Sequence, residues 1–147
     1  MSRGLGDVYK RQVELDEKQL LVDALMRKIY YSVIQKQLRL KIRTIPQTDL
    51  MCYSSGGYFQ AHADSEFFDA AQGKWRRVAD RDFSLLLYLN DDFEGGDVIF
   101  NRFNFRYRPC AGDLLVFPSH RVYTHEVEKI TSGRRYVIVS WATVVRK

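Results

Sequence analysis

Apolar positions along the chain change their spacing near residue 43. Upstream of it, Leu20, Leu21, Ala24, Leu25 and Ile29 fall at i, i+1, i+4, i+5 and i+9, one face of a 3.6-residue period. The spacing predicts a helix over residues 15–40. Asp16 is its expected N-cap, Glu17 adds charge in the first turn, and Lys28, Lys36, Arg39 and Lys41 suit the negative end of the helix dipole. Tyr30, Tyr31, Val33 and Ile34 blur the stripe, so a break is expected near Ser32. Downstream, short apolar runs occupy residues 50–53, 58–64, 83–90, 97–100, 103–107, 113–117, 125–129 and 134–145. Turn residues such as Ser54, Gly56, Gly57, Pro109, Gly112 and Gly133 separate them, which is the signature of strands. Residues 83–90 are almost continuously apolar, so that strand is expected at the centre of a sheet covered on both faces. The runs 97–100 and 103–107 read as a hairpin about Asn101 and Arg102. Residues 65–81 are polar, with isolated Phe67, Phe68 and Trp75 and no clear period, and read as a lid or binding loop.

Many short strands behind one helical region predict a mainly β protein, a jelly roll or barrel with the helix packed outside a sheet. Residues 13–147 are expected to form a single domain. Residues 1–12 have no clean period and no continuity with residues 13–40. They read as a non-native leader of translated adaptor sequence and are set aside for fold reasoning.

Composition narrows the class. The chain has 147 residues, 46% hydrophobic and 14% aromatic, enough for one real core. No apolar run approaches the roughly 18 residues of a membrane span, and no signal-peptide pattern is present. Cys52 and Cys110 are too few for a disulfide scaffold and point to a reducing, cytoplasmic setting. Whether the two pair stays open. The formal charge is +5; the leader holds Arg3, Lys10 and Arg11 against Asp7, so without it the charge is +3. So small an excess is weak evidence for a nucleic-acid partner, and none is expected.

The candidate chemistry lies in His62-x-Asp64. Two residues apart on an extended segment, both side chains project to one face. An imidazole and a carboxylate side by side supply two thirds of a facial triad for non-haem Fe(II), which leaves the opposite face of the metal open. His125, at an expected strand start some sixty residues on, is the candidate third ligand, with His120 as its competitor. Such ligands bind as neutral imidazoles, so metal affinity should fall below a pH of about 6.5. In the last strand Arg135, Val137, Val139 and Trp141 share one face, and Arg134, Tyr136, Ile138 and Ser140 the other. An arginine on an apolar face needs an anion, because an unpaired buried charge is costly. Its planar fork suits a carboxylate. Tyr53, Tyr58 and Tyr88 offer hydroxyls on neighbouring expected strands. Iron, a carboxylate-binding arginine and tyrosine donors together match 2-oxoglutarate, with its 1-carboxylate and keto oxygen on iron and its 5-carboxylate on the arginine.

The ordered set Tyr53, Gly56, Tyr58 or Phe59, His62, Asp64, Arg81, Ser84, Tyr88, Leu89, Asn90, Gly95 and Gly96 continues with Pro109, Gly112, Phe117 and Pro118. His125, Val127, Gly133, Arg135, Tyr136 and Trp141 complete it. This set resembles the catalytic domain of prolyl 4-hydroxylase-type Fe(II)/2-oxoglutarate dioxygenases over residues 50–142. The resemblance implies a double-stranded β-helix, cupin-like, with His62, Asp64 and His125 as iron ligands. It implies that Arg135 binds 2-oxoglutarate with help from Tyr88 and Tyr53. Trp141 and Tyr58 become candidates for contact with the substrate or support of the ligands. The implied cofactors are Fe(II), 2-oxoglutarate and O2, with ascorbate as a further candidate. The implied reaction hydroxylates a C–H bond, foremost of a prolyl residue in a peptide or protein, with succinate and CO2 as coproducts.

A free amino acid or other small molecule is the alternative substrate. The nucleic-acid demethylases of the same chemistry typically set their arginine six residues after the distal histidine, where this chain has Thr131. Cys52 stands where relatives commonly have arginine, and the segment that shapes a peptide groove in many prolyl hydroxylases is short or absent here; both bear on the substrate more than on the chemistry.

Overall fold

The computed structural model describes residues 10–45 and 48–146. Strand β1 (Lys10–Val13) opens the described chain. A 3-10 turn (Asp16–Lys18) leads into α1 (Gln19–Ile29) and a π-helical turn (Tyr30–Gln35). Next come β2 (Ile42–Thr44), β3 (Asp49–Tyr53), β4 (Phe59–His62), β5 (Glu66–Asp69), β6 (Lys74–Arg77) and β7 (Phe83–Tyr88). The remainder comprises β8 (Glu94–Gly95), β9 (Val98–Phe100), β10 (Phe105–Tyr107), β11 (Leu114–Pro118), β12 (His125–Val127), β13 (Ile130–Ser132) and β14 (Arg135–Val144).

The larger sheet has the order β1-β3-β14-β7-β11, with β2 also on β14. The smaller has the order β10-β9-β12-β4, and every pairing is antiparallel. Alternation along β7 and β14 gives the larger sheet two apolar faces. Leu86, Tyr88 and Val137 pack inward with Val98, Phe100 and Val127 of the smaller sheet. Leu85, Ile138 and Ala142 pack outward against Met26, Tyr30 and Ile34 of the helical region. This is the expected jelly roll with a helix outside it. Residues 83–88 form an interior strand between β14 and β11, covered on both faces, and the run 98–107 is the expected hairpin, turned through a 3-10 segment at Asn101–Phe103.

Several sequence expectations need correction. The stripe Leu20, Leu21, Ala24, Leu25 does not face the sheet: Leu20 is 80% and Leu21 72% exposed. The helix is apolar on both sides, and polar anchoring sets its rotation. Gln19 Nε2 donates to the Thr48 carbonyl at 3.2 Å, and the Thr48 hydroxyl donates to Asp23 Oδ1 at 2.5 Å. With Gln19 and Asp23 held at the end of the sheet, Val22, Met26, Tyr30 and Ile34 turn inward. Asp16 is not the N-cap; it sits in the 3-10 turn at φ 45°, and no side chain caps α1. The break near Ser32 is the π turn, where the Ser32 hydroxyl donates back to the Lys28 carbonyl. Residues 66–77 form the β5–β6 hairpin rather than an irregular loop. Of the set-aside leader, residues 1–9 lie outside the described residues, and residues 10–12 enter β1, paired along β3. Cys52 and Cys110 are free thiols, the first buried and the second exposed.

Tyr30 ties the helix to the sheet. It is fully buried, and its hydroxyl donates to Ser140 Oγ at 3.0 Å. Burial raises the Tyr30 pKa well above its usual value, although the Ser140 hydrogen bond opposes the shift. Tyr30→Phe removes one partner and leaves Ser140 unsatisfied, at a cost of about 1–2 kcal/mol. The melting midpoint should fall by roughly 3–6 °C; an unchanged midpoint would mean that Ser140 re-pairs.

Candidate functional site

Sheet register brings the distant histidine home. β12 pairs with β4 so that His125 lies directly opposite His62, with ring centroids 4.4 Å apart. β4 ends at His62, and Asp64 projects from the bend just beyond it, short of the expected strand end. One ligand atom from each of His62, Asp64 and His125 lies within 4.8 Å of the others, a group able to hold one metal ion. His120 is not part of it. That residue is exposed, and its Nδ1 accepts from the Val122 amide at the start of a 3-10 turn.

Each of the three side chains is held from behind. His62 Nδ1 lies 2.8 Å from the Gln60 carbonyl and His125 Nδ1 lies 3.0 Å from the Tyr123 carbonyl. A carbonyl only accepts, so both rings carry their proton on Nδ1 and present a bare Nε2. The two Nε2 atoms lie 3.2 Å and 3.9 Å from Asp64 Oδ1. The other oxygen, Oδ2, accepts from Ser84 Oγ at 2.5 Å and from Trp141 Nε1 at 3.3 Å. Burial opposes ionisation of Asp64. Its interactions with His62, His125 and the Ser84 hydroxyl outweigh burial, and the pKa is lowered. Burial pushes the His125 imidazole down to about 4 against the pull of Asp64. It is therefore neutral at neutral pH, the form of an imidazole that is able to bind a metal ion.

Behind this group opens a cavity of about 330 Å³, within the range of small-molecule sites. Arg135, Val137, Val139 and Trp141 line it from β14, as alternation from Arg135 predicts. Arg135 is 1% exposed, whereas Arg134 is exposed. The Arg135 guanidinium lies about equally far from the Tyr53 and Tyr88 rings, at 4.9 Å and 5.0 Å, and Nη2 donates to the Tyr88 hydroxyl at 3.2 Å. Its Nε and Nη1 are buried with no hydrogen-bond partner among the described residues. Burial is the main reason that the Tyr53 hydroxyl is pushed up to about 12, against the Arg135 charge, so it is a neutral donor. Gly96 has φ 74°, and a Cβ there would lie 3.3 Å from Arg135 Cδ and 2.4 Å from Ile130 Cδ1. Glycine is what lets this loop close over the arginine.

Two expectations shift. Tyr58 does not line the cavity; it lies on a separate open groove with Gln60, Glu126 and Glu128. Trp141 lines the cavity and also holds Asp64 through its indole N–H. Arg81 had no assigned role. It stacks over Trp141 at 3.7 Å, and its Nη1 donates to the Asp64 carbonyl at 3.1 Å. In the sequence Ser84 stands out only as a motif position. A polar residue at the inward parity of an otherwise apolar strand, two and four residues before Leu86 and Tyr88, was the signal for it.

A family model described as the 2OG-Fe(II) oxygenase superfamily matches residues 48–143. The chain belongs to that superfamily. Among curated relatives of this oxygenase domain, prolyl 3-hydroxylase 3 of Homo sapiens is 42% identical over 91 residues, covering 56% of this chain and 12% of that protein. A PKHD-type hydroxylase of Idiomarina loihiensis is 28% identical over 125 residues, covering 84% of this chain and 51% of that one. The chain thus spans about half the length of the bacterial relative and far less of the human one. A solved viral collagen prolyl hydroxylase of Paramecium Bursaria Chlorella virus-1, in complex with 2OG, shares the fold. Its TM-score is 0.71 at 18% identity, covering 93% of this chain and 79% of that one. The superfamily implies Fe(II), 2-oxoglutarate and O2 for the oxygenase domain. Among the described residues no helix is long and apolar enough to cross a membrane.

Proposed function

We propose that this oxygenase hydroxylates a prolyl residue in a peptide or protein, with Fe(II) held by His62, Asp64 and His125 and 2-oxoglutarate held by Arg135. The observation that carries the reading is the pair of buried, unpartnered nitrogens of Arg135 in the cavity that also holds the two-histidine, one-carboxylate group. A buried guanidinium with two free donors calls for an anionic acceptor such as a carboxylate. The donor set fits Fe(II), which takes two imidazoles and a carboxylate on one face. Bound there, Fe(II) would activate O2 against 2-oxoglutarate and deliver one oxygen atom to a C–H bond, with succinate and CO2 as coproducts. The protein's own part is orientation. The Gln60 and Tyr123 carbonyls hold the imidazole tautomers, Ser84 and Trp141 hold Asp64, and Tyr53 and Tyr88 flank the carboxylate site. Phe59, Met51, Leu86 and Val139 keep the cavity wall apolar, which excludes water from the reacting region.

Prolyl hydroxylases among both the curated relatives and the solved structures support the prolyl substrate. The test is succinate formation with iron and 2-oxoglutarate across proline-rich peptides and free amino acids. Peptide-dependent turnover with oxygen added to proline is expected. Turnover only with a free amino acid would overturn the peptide reading and leave the cofactor reading standing.

A further inference from the structure

We propose that Ser119 and Ser84 form a directional hydroxyl relay that decides which oxygen of Asp64 faces the metal, with Ser119 as the positioning residue at its far end. The proposal rests on the metal reading above. Ser84 and Ser119 are 0% and 1% exposed, so each hydroxyl needs a partner inside the protein. Ser84 Oγ lies 2.5 Å from Asp64 Oδ2 and 2.7 Å from Ser119 Oγ.

Counting protons settles the direction. An ionised carboxylate has none, and a serine hydroxyl has one. Ser84 uses its only proton on Asp64, so Ser119 must donate to Ser84. The relay therefore runs from Ser119 through Ser84 to Oδ2, and each hydroxyl polarises the next.

Ser119 is itself fixed on both sides. Its amide donates to the Asp82 carbonyl at 2.9 Å. Its carbonyl accepts from the Ser65 amide and the Ser65 hydroxyl, each at 3.0 Å. Ser65 is fully buried and comes immediately after Asp64, so the far end of the relay is tied to the backbone that carries the ligand. With Ser84 and Trp141 both donating to Oδ2, Oδ1 is the oxygen left toward His62 and His125. The device keeps Asp64 a one-oxygen ligand. An Asp64 free to turn would offer both oxygens and take a position needed for the cosubstrate or oxygen.

Ser119 is not one of the three metal-site residues and does not line the cavity; its hydroxyl reaches Asp64 through Ser84, while its backbone carbonyl, unchanged by a side-chain substitution, holds Ser65. The experiment titrates Co(II) into the full chain and follows both affinity and the visible spectrum. Loss of an outer-sphere partner typically weakens metal affinity by about 10–100-fold. Ser84→Ala should fall in that range. Ser119→Ala should weaken Co(II) binding by about 10-fold at the low end of it, and change the intensity of the Co(II) bands, which report coordination number. Ser119→Thr and Ser119→Val add the same bulk, but only Thr keeps the hydroxyl. Thr should restore affinity and spectrum relative to Val. In a Trp75→Phe background without metal, Trp141 is the sole tryptophan, and its emission should shift in Ser119→Val and not in Ser119→Thr. Equal Co(II) affinity and equal spectra for Thr and Val, with His125→Ala still losing metal, would overturn the relay and spare the metal site. No Co(II) binding by the unaltered chain would overturn both.

Discussion

Replacing His125 by alanine should reduce metal affinity by more than about 100-fold, beyond the range seen when only the partner of a ligand is lost. Replacing His120 by alanine should leave affinity within about threefold. The two histidines lie five residues apart in sequence, and the sequence alone left them in competition. Register separates them: His125 is cross-strand partner of His62, is 4% exposed, and has Nε2 toward Asp64. His120 caps a 3-10 turn on the surface. Removing His125 leaves two ligands and also frees the Tyr123 carbonyl that orients the ring. The measurement is Co(II) or Mn(II) titration of both variants, with far-UV dichroism to confirm that each is folded. Loss of metal in His120→Ala and retention in His125→Ala would mean the wrong histidine was assigned.

Arg135→Ala should raise the apparent constant for 2-oxoglutarate by about 30-fold or more, with metal binding intact. Truncating one partner of a buried, hydrogen-bonded charge pair typically costs about 2–5 kcal/mol, and each 1.4 kcal/mol is tenfold. The guanidinium is 1% exposed, with Nε and Nη1 unpartnered, so little solvent screening softens the loss. Arg134→Ala should change the constant by less than about threefold, since exposed charges contribute little. Arg134 meets the rest of the fold through its backbone, where its carbonyl accepts from Asn90 Nδ2 at 2.7 Å. Titrating 2-oxoglutarate against both variants, with succinate as the readout, checks the pair. Damage confined to Arg134→Ala would place the cosubstrate on the opposite face of β14.

Local rules make these residues visible in the sequence. A period of two along β14 put Arg135 with Val137, Val139 and Trp141, and the cavity is lined by those four. His62 and Asp64 needed only two-residue spacing to point one way. Glycine and proline punctuation marked the strands, and the apolar run at 83–88 marked an interior strand covered on both faces. These features depend on backbone geometry within a few residues, which a sequence carries in full.

Long-range packing decided the rest. The rotation of α1 was ambiguous because two apolar stripes satisfy one helical period, and the contacts of Gln19 and Asp23 with Thr48, 29 and 25 residues away, chose between them. His125 became the partner of His62 through a strand pairing that spans half the domain. Tyr58 looked like a site hydroxyl from its neighbours in sequence, yet it lies on an outer groove. Ser119 gave no local signal, because its role depends on meeting Ser84, 35 residues earlier, across the β7–β11 pairing. Sequence spacing determines which way a side chain points along its own strand; only the closed sheets determine which side chain waits opposite it.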